Sequence, residues 1–268
     1  MEQKQKEDTY SKEEYDIRFA KFLLLSQGNL NTKIKNDIKE EISTRNFNKN
    51  DSVYIEVGPG EGKLTEIFGG DFNSQILYEP NPMYNDSLKK KGYTVINSVF
   101  QSQLSSFNTK FDMIVFPHCL YYFTPEEIKE VITVLNKNKK SKDSVIAILM
   151  DTFSPLSVNE TIIEFACKEL NLDNKKVRKT VDHFTIVNAL KELDVKYKIS
   201  EVDFDLSLNS AEEIYDFHSF LLIENNLFTE FFNFDQKTRD NMELLMKDYY
   251  GKVKLPMLNQ RKEVLILI

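Results

Sequence analysis

The sequence predicts an α/β protein with a doubly wound parallel sheet, and two observations lead to this fold class. Residues 53–57 form an apolar run rich in β-branched side chains, typical of a buried strand, and the run leads directly into a glycine-rich turn. Beyond that turn, segments that resemble buried strands alternate with segments of helical periodicity. Such alternation favours parallel strands joined by crossover helices.

The predicted elements follow one another in a regular order. After the first strand, strands are predicted over residues 75–79, 93–97, 111–116, 144–150, 196–204 and 263–268. Helices are predicted over residues 82–91, 125–138, 156–171 and 183–193. Thr124 precedes Pro125 and two glutamates, which is the pattern of a capped helix start. The almost wholly apolar run at 144–150 predicts a central strand.

Two further helical segments are predicted on either side of this alternation. Residues 1–10 are polar and are expected to form a disordered tail, whereas residues 11–46 are expected to form a helical cap. In the cap, apolar side chains recur three and four residues apart on two successive helices, at Tyr15, Phe19, Phe22 and Leu23 and then at Ile34, Ile38 and Ile42. The aromatic-rich segment of about 207–250 is expected to be a helical insertion, most simply a lid, before the final strand.

Composition narrows the class of protein and of partner. The chain of 268 residues is 41% hydrophobic and 29% charged, which suits one domain over residues 11–268 with added elements. The net charge is −7 and no long basic block is present, so nucleic acid is not an expected partner. Cys119 and Cys167 form neither a disulfide framework nor a zinc pattern, and no metal is expected. With no apolar run of about 18 residues, we expect a cytoplasmic monomer without membrane contact.

The glycine-rich turn indicates which class of ligand the sheet binds. Gly58, Gly60 and Gly62 fall within five residues and allow the backbone to approach a ligand closely. A dinucleotide fingerprint needs a third glycine at the position of Lys63, where glycine packs the helix on the strand. Lys63 does not fit a phosphate-binding P-loop frame either. The turn is therefore neither of these two common nucleotide motifs.

The stretch Glu56-Val-Gly-Pro-Gly-Glu-Gly resembles the first motif of class I S-adenosylmethionine-dependent methyltransferases. The resemblance implies a Rossmann-like methyltransferase sheet of about seven strands with the last one antiparallel, and S-adenosylmethionine as cofactor. The residues expected to bind this cofactor are Glu56, Gly58, Pro59, Gly60, Glu79, Pro80, Ser98, Ser102 and Pro117.

Two groups of polar side chains support that expectation from their positions alone. Glu79 ends the second predicted strand, 21 residues after Gly58, where an acid accepts hydrogen bonds from ribose hydroxyls in nucleotide-binding sheets. Asn97, Ser98 and Ser102 follow the third strand, where a polar side chain commonly meets an adenine edge, and the choice among them stays open.

The segment after the fourth predicted strand supplies the expected chemistry. His118, Tyr121 and Tyr122 lie at the carboxyl end of a central strand, where open α/β sheets bind ligands. Histidine can accept a proton near neutral pH, so we expect His118 to be catalytic together with Tyr121. Tyr122 is expected to orient the acceptor. Whether His118 is a base or only positions the substrate stays open.

Several short motifs together resemble histamine N-methyltransferase and its relatives. The motifs are Tyr15, Phe19 and Phe22, then Glu79-Pro80, Leu120-Tyr121-Tyr122, Tyr215-Asp216-Phe217 and the aliphatic final strand. The resemblance implies methyl transfer to an amine or imidazole nitrogen of a small molecule in an aromatic pocket. The residues it implies for substrate binding are Tyr15, Phe19, His118, Tyr122, Phe153 and Phe217.

The chain also departs from that family in ways that argue against histamine itself. The family's substrate-binding glutamate is missing from Ser26-Gln27-Gly28, His118 replaces a glutamine, and the family's C-terminal asparagine corresponds to Asn259 or Gln260. The chain has no tryptophan, and Phe153 and Phe165 are the nearest aromatic substitutes. Two alternatives therefore stay open: methylation of a hydroxyl, and a non-catalytic S-adenosylmethionine-binding protein. The acidic balance disfavours protein or nucleic acid as acceptor.

Overall fold

The computed structural model describes residues 17, 18, 20–22, 25, 32–151, 168, 181–224, 236–252, 255 and 257–268. The predicted tail at 1–10 and the predicted helix at 156–171, apart from helical residue 168, lie outside this part of the chain.

The described residues form seven strands joined largely by helices. The strands are β1 (Val53–Val57), β2 (Ser74–Tyr78), β3 (Thr94–Ile96), β4 (Met113–Pro117), β5 (Val145–Asp151), β6 (Lys198–Leu208) and β7 (Met257–Leu267). The α-helices are α1 (Thr32–Ser43), α2 (Lys63–Phe68), α3 (Pro82–Lys90), α4 (Pro125–Asn138), α5 (His183–Glu192), α6 (Ala211–Glu224) and α7 (Gln236–Gly251). Short 3-10 helices span Gly69–Asp71, Phe100–Ser106 and Leu120–Tyr122, and residues 17, 18, 20–22 and 25 are also helical.

All seven strands belong to one sheet, in the order β3-β2-β1-β4-β5-β7-β6. β1 pairs in parallel with β2 and with β4, and parallel pairing continues outward to β3 and β5. β7 runs antiparallel to β5, with Leu267 opposite Ala147 and Glu263 opposite Asp151. The predicted doubly wound sheet with an antiparallel last strand is therefore confirmed.

The sheet is covered on both faces, because alternate side chains of each strand enter different apolar clusters. On β4, Ile114 and Phe116 join one cluster, whereas Met113 and Val115 join the other. α4 and α5 cover the first face, and α1, α2 and α3 contribute apolar side chains to the second. Burial on both faces explains why β4 and β5 read as continuous apolar runs in the sequence.

Local polar contacts determine where the elements begin. The Thr124 hydroxyl accepts a hydrogen bond from the Glu127 N–H, and the Glu127 carboxylate accepts one from the Thr124 N–H, which completes a capping box before α4. Asp112 accepts a hydrogen bond from the Val53 N–H at 2.8 Å and thereby ties the start of β1 to the segment before β4.

The chain divides into two compact units. The first comprises residues Met1–Asn29, Phe153–Lys179 and Phe204–Arg261, and the second comprises Leu30–Thr152, Thr180–Asp203 and Lys262–Ile268. Within the first unit, Arg18 pairs with Glu243 at 2.6 Å. Both α6 and α7, which lie in the predicted insertion at 207–250, belong to this unit.

Several predicted boundaries were wrong by one to six residues. The final strand begins at Met257 rather than at 263, and β6 extends to Leu208 rather than to 204. Both extensions carry polar and charged residues, which hid them from a search for apolar runs. At β4, pairing begins at Met113, and Phe111 instead makes an isolated bridge with Lys139.

No helix in the described ranges combines the length and the apolar character that crossing a bilayer requires.

Candidate functional site

The order in which strands are added to the sheet reverses between β1 and β4, and the predicted site residues lie at the carboxyl ends of the parallel strands. The chain passes from β1 outward to β2 and β3, and then returns to β4 on the other side of β1. In open α/β sheets, ligands bind in the crevice at such a switch point. All the residues predicted to bind a cofactor lie in the second unit, in the segments that follow β1, β2, β3 and β4 or at their last residues.

The glycine turn after β1 uses its three glycines for two different purposes. Gly58, Gly60 and Gly62 all have positive φ, at 71°, 55° and 81°. A Cβ on Gly58 would lie 3.2 Å from Cys119 Cβ, and one on Gly62 would lie 2.7 Å from Leu88 Cδ2. A Cβ on Gly60 would meet nothing within 4 Å. Gly58 and Gly62 therefore pack against protein, whereas Gly60 faces open space where a ligand can approach the backbone.

The carboxylate of Glu79 connects the end of β2 to this turn. One carboxylate oxygen accepts the Gly60 N–H at 3.0 Å, and the other accepts the Asn81 N–H at 2.7 Å. Burial raises the pKa of Glu79, and these two hydrogen bonds oppose the rise. A carboxylate has about four lone-pair sites, so each oxygen can still accept a hydroxyl donor from a ligand.

Glu56 is a fully buried carboxylate with one satisfied and one unsatisfied oxygen. Its Oε2 accepts hydrogen bonds from the Tyr54 hydroxyl at 2.8 Å and the Thr65 hydroxyl at 2.5 Å. Its Oε1 has no partner among the described residues, although buried polar atoms are nearly always paired. Burial raises the pKa of Glu56 to about 7. The orphaned oxygen fits a ligand with a hydrogen-bond donor, best a cationic one.

The serines after β3 form one hydrogen-bonded cluster. The Ser98 and Ser102 hydroxyls lie 2.9 Å apart, and the Gln103 amide nitrogen donates to Ser98 at 3.1 Å. Val99, which follows Ser98 in the sequence, is 49% exposed. An exposed apolar side chain next to polar hydroxyls is suited to an aromatic ring with a polar edge.

His118 occupies a strained position directly after β4. Its φ of 52° lies in the left-handed region, and its N–H donates to the Leu149 carbonyl at 2.9 Å. Its side chain is 43% exposed, and its Nε2 lies 3.4 Å from Oε1 of Glu263 on β7. The Glu263 side chain is only 9% exposed. His118, after β4, and the buried carboxylate of Glu263, on β7, therefore form a pair at the carboxyl edge of the sheet, across the intervening strand β5.

The other predicted residues after β4 support this edge in different ways. Pro117 is the last residue of β4 and is half-buried, as is the Tyr121 side chain, which packs against the cluster containing Phe116. Cys119 lies against Gly58, and burial raises the pKa of its thiol. The thiol therefore stays protonated and unreactive near neutral pH.

Two other residues predicted to bind the cofactor follow earlier strands. Pro59, in the glycine turn after β1, is buried, and Pro80, after β2, is exposed.

The residues predicted to bind the acceptor are described only in part. Tyr15, Phe19 and Phe153 lie outside the described residues, as does the side chain of Tyr122. Phe217 is wholly buried within the first unit and stacks on Phe22 with ring centroids 5.0 Å apart. The role of these five residues in substrate binding stays a prediction.

Sequence reasoning missed Glu263, although one signal pointed to it. An antiparallel last strand enters the sheet at the carboxyl edge of its parallel neighbour, so an acid at the start of its apolar run must lie near the site. Gln103 was also missed. Its amide reaches Ser98 because residues 100–106 form a 3-10 helix, which the sequence pattern did not predict.

Comparison with solved structures agrees with this architecture. The YcgJ protein of Bacillus subtilis aligns with a TM-score of 0.51 at 12% identity, covering 87% of this chain and 96% of its own. BH2331 of Bacillus halodurans, provisionally assigned as a methyltransferase, aligns with a TM-score of 0.50 at 11% identity, covering 87% and 97%. An S-adenosylmethionine-dependent methyltransferase from Archaeoglobus fulgidus aligns over 87% and 92% at 15% identity, with a TM-score of 0.47.

The first two alignments show a shared fold, a Rossmann-like seven-stranded sheet with one antiparallel strand. No protein-family model and no curated protein sequence matches the chain.

Proposed function

We propose that this protein binds S-adenosylmethionine and transfers its methyl group to a small-molecule acceptor. The observation that carries the proposal is the contact between Glu79 and Gly60, because it joins the two predicted cofactor elements into one preformed cradle. The backbone at Gly60 faces open space, and the carboxylate beside it retains acceptor sites for ribose hydroxyls. The provisional assignment of BH2331, which shares this fold, points to the same reaction class.

Glu56 supplies the second argument for this cofactor. S-adenosylmethionine carries an ammonium group at one end, and an ammonium is a suitable partner for a buried carboxylate oxygen that has no hydrogen-bond donor. Glu56 Oε1 is such an oxygen, at the end of the strand that leads into the glycine turn. Ser98 and Ser102, with exposed Val99 beside them, offer hydroxyls and an apolar surface to the adenine at the other end.

When bound, the cofactor supplies a sulfonium-activated methyl group, and the protein's task is to hold an acceptor in line with it. Positioning of this kind contributes about 7–11 kcal/mol to lowering a barrier. His118 lies at the same edge of the sheet as the cradle, which makes it the group best placed to meet an acceptor. The acceptor we propose is an amine or imidazole nitrogen, with a hydroxyl as the alternative.

Two glycine substitutions test the cradle. Gly60→Arg should abolish S-adenosylmethionine binding in a calorimetric titration and leave the circular dichroism spectrum unchanged, because the arginine fills open space. Gly92→Arg is the matched control, since Gly92 also has a positive φ, and a Cβ added there would also meet nothing within 4 Å. Gly92 follows α3, at the opposite edge of the sheet, and its variant should bind normally. Equal affinity in the two variants would mean that the cofactor binds elsewhere.

A further inference from the structure

We propose that His118 and Glu263 act together as the proton acceptor of this site, and that the methyl acceptor therefore loses a proton from its attacking atom. This inference rests on the proposed methyl transfer and narrows its substrate class. Within the proposed class it selects alcohols, phenols and protonated amines. It excludes acceptors that attack through a lone pair with no proton to lose, such as the neutral ring nitrogen of an imidazole or a thioether.

His118 and Glu263 form a close pair at the carboxyl edge of the sheet. Glu263 is nearly buried, and a buried carboxylate needs a charged or hydrogen-bonding partner. Its Oε1 lies 3.4 Å from Nε2 of His118. A carboxylate at this nitrogen favours a proton on Nε2 and leaves Nδ1 as the basic nitrogen.

The backbone of His118 is strained. Among the described residues, His118 and Asp194 are the non-glycine residues with positive φ. Asp194 lies in the turn after α5, whereas His118 lies at the ligand-binding edge of the central strands. Strained backbone conformations of this kind persist where the surrounding structure fixes them, and they cluster at functional sites. Here the His118 N–H bond to the Leu149 carbonyl holds the strained residue in place.

The pair can exchange protons with solvent. The His118 side chain is 43% exposed, so an imidazolium formed there can release its proton to water after each turnover. Glu263 itself is too buried to do so directly. The exposed histidine is therefore the proton carrier and the buried glutamate is its positioning residue.

The reaction balances without any further reactant. The attacking oxygen or nitrogen forms a bond to the methyl carbon, and the carbon–sulfur bond breaks with its electron pair moving to sulfur. The proton of the attacking atom moves to Nδ1 of His118, and from there to solvent. The products are the methylated acceptor, the neutral thioether and one proton.

The test combines cofactor binding with methyl transfer. Wild type, His118→Gly, Glu263→Gln, Glu263→Asp and the double variant His118→Gly/Glu263→Gln are first titrated with S-adenosylmethionine, and all should bind it within about twofold of wild type. Each is then incubated with labelled S-adenosylmethionine and a cell metabolite extract, and with 2-phenylethylamine, 2-phenylethanol, pyridine and dimethyl sulfide as defined probes. Glu201→Gln is the matched control. Glu201 forms an ion pair at 2.8 Å with Lys262, the residue next to Glu263, so this variant also loses a carboxylate close to β7 but leaves the His118–Glu263 pair intact.

We expect the transfer rate to proton-bearing acceptors to fall about 100-fold in His118→Gly and at least tenfold in Glu263→Gln. The double variant should be about as slow as His118→Gly, since the two residues act as one unit. Added imidazole should restore part of the rate at which His118→Gly methylates 2-phenylethanol, measured as that product, and Glu263→Asp should retain more activity than Glu263→Gln. A purely structural role for either residue produces neither form of rescue. The control should transfer at the wild-type rate.

The outcomes separate this inference from the function on which it rests. A wild-type protein that does not bind S-adenosylmethionine overturns the proposed function and this inference with it. Normal binding with equal transfer rates in wild type and both single variants overturns the histidine–glutamate pair alone. Methyl transfer to pyridine or dimethyl sulfide, with none to the proton-bearing probes, also overturns the histidine–glutamate pair alone. Binding without any methylated product contradicts the pair and favours a non-catalytic binding protein.

Discussion

The carboxylate of Glu79 accepts a hydrogen bond from the backbone N–H of Gly60 at 3.0 Å, across 19 residues of sequence. The contact joins the segments that follow two neighbouring parallel strands, β2 and β1. Because the same carboxylate also accepts the Asn81 N–H, it holds both segments at once. The glycine turn and its acid are therefore arranged before any ligand arrives, and no ordering of the turn has to accompany binding.

Glu79→Gln should lower both stability and cofactor affinity. The amide NH₂ must face one of the two backbone N–H donors, which leaves that donor unsatisfied, so we expect the unfolding free energy to fall by about 1–3 kcal/mol. Urea denaturation measures this change. Glu61→Gln in the same turn is the control, because its side chain is 60% exposed and should change stability by less than about 0.5 kcal/mol. Equal effects of the two substitutions would contradict the role given to Glu79.

Glu56 should make stability depend on pH. Burial raises the pKa of Glu56 from 4.5 to about 7, so the folded protein retains a proton that the unfolded chain releases. The contribution of Glu56 to the free energy of unfolding is therefore fully present below pH 4.5. It is lost as the pH rises through 7, and the total loss is about 3 kcal/mol.

Glu56→Gln isolates this contribution, since glutamine keeps an oxygen for Tyr54 and Thr65 but does not titrate. The stability of the variant relative to wild type should rise by about 2 kcal/mol between pH 5 and pH 8, measured by urea denaturation at each pH. A difference that does not change with pH would show that Glu56 is ionised in the folded protein throughout.

These two carboxylates show what the sequence could and could not reveal. The position of Glu79 after a strand predicted its place at the ligand edge, because parallel strands all end at that edge. Its bond to Gly60 depends on the path of the turn through three left-handed glycines, which no local pattern encodes. The missing partner of Glu56 Oε1 is likewise a property of packing, visible only once Tyr54 and Thr65 have occupied the other oxygen.

His118→Gly should be more stable than His118→Ala. At a φ of 52°, alanine carries a steric penalty of about 1 kcal/mol that glycine avoids, so the variant with the smaller residue should unfold at a higher urea concentration. Asp194 has nearly the same φ, 51°, and the same pair of substitutions there is the matched comparison. Equal stability of the alanine and glycine variants at position 118, together with a difference at position 194, would contradict a left-handed backbone at His118.

Thr124→Ala should destabilise α4 by about 1 kcal/mol, because it removes the hydroxyl that accepts the Glu127 N–H at 3.2 Å. Thr133→Ala is the control within the same helix: Thr133 is exposed, and alanine there improves helix propensity. Thermal unfolding should show a lower midpoint for the first variant and an unchanged or higher midpoint for the second. The reverse order would exclude the capping box.

The α4 cap and the strand alternation were predictable because they depend on residues close together in sequence. The pair of His118 and Glu263 was predictable only in part: an antiparallel last strand places Glu263 near the carboxyl edge, but the contact with His118 depends on the register between β7 and β5. The early start of β7 at Met257 was missed for a related reason: Asn259, Gln260 and Arg261 interrupt the apolar run, and pairing in the sheet overrides their low strand preference.

The most direct test of the central claim is a calorimetric titration of S-adenosylmethionine into the wild-type protein and Glu79→Gln. We expect saturable binding at one site in wild type and at least tenfold weaker binding in the variant, which corresponds to the loss of about 1.4 kcal/mol. The absence of saturable binding to wild-type protein that is folded by circular dichroism would contradict the claim.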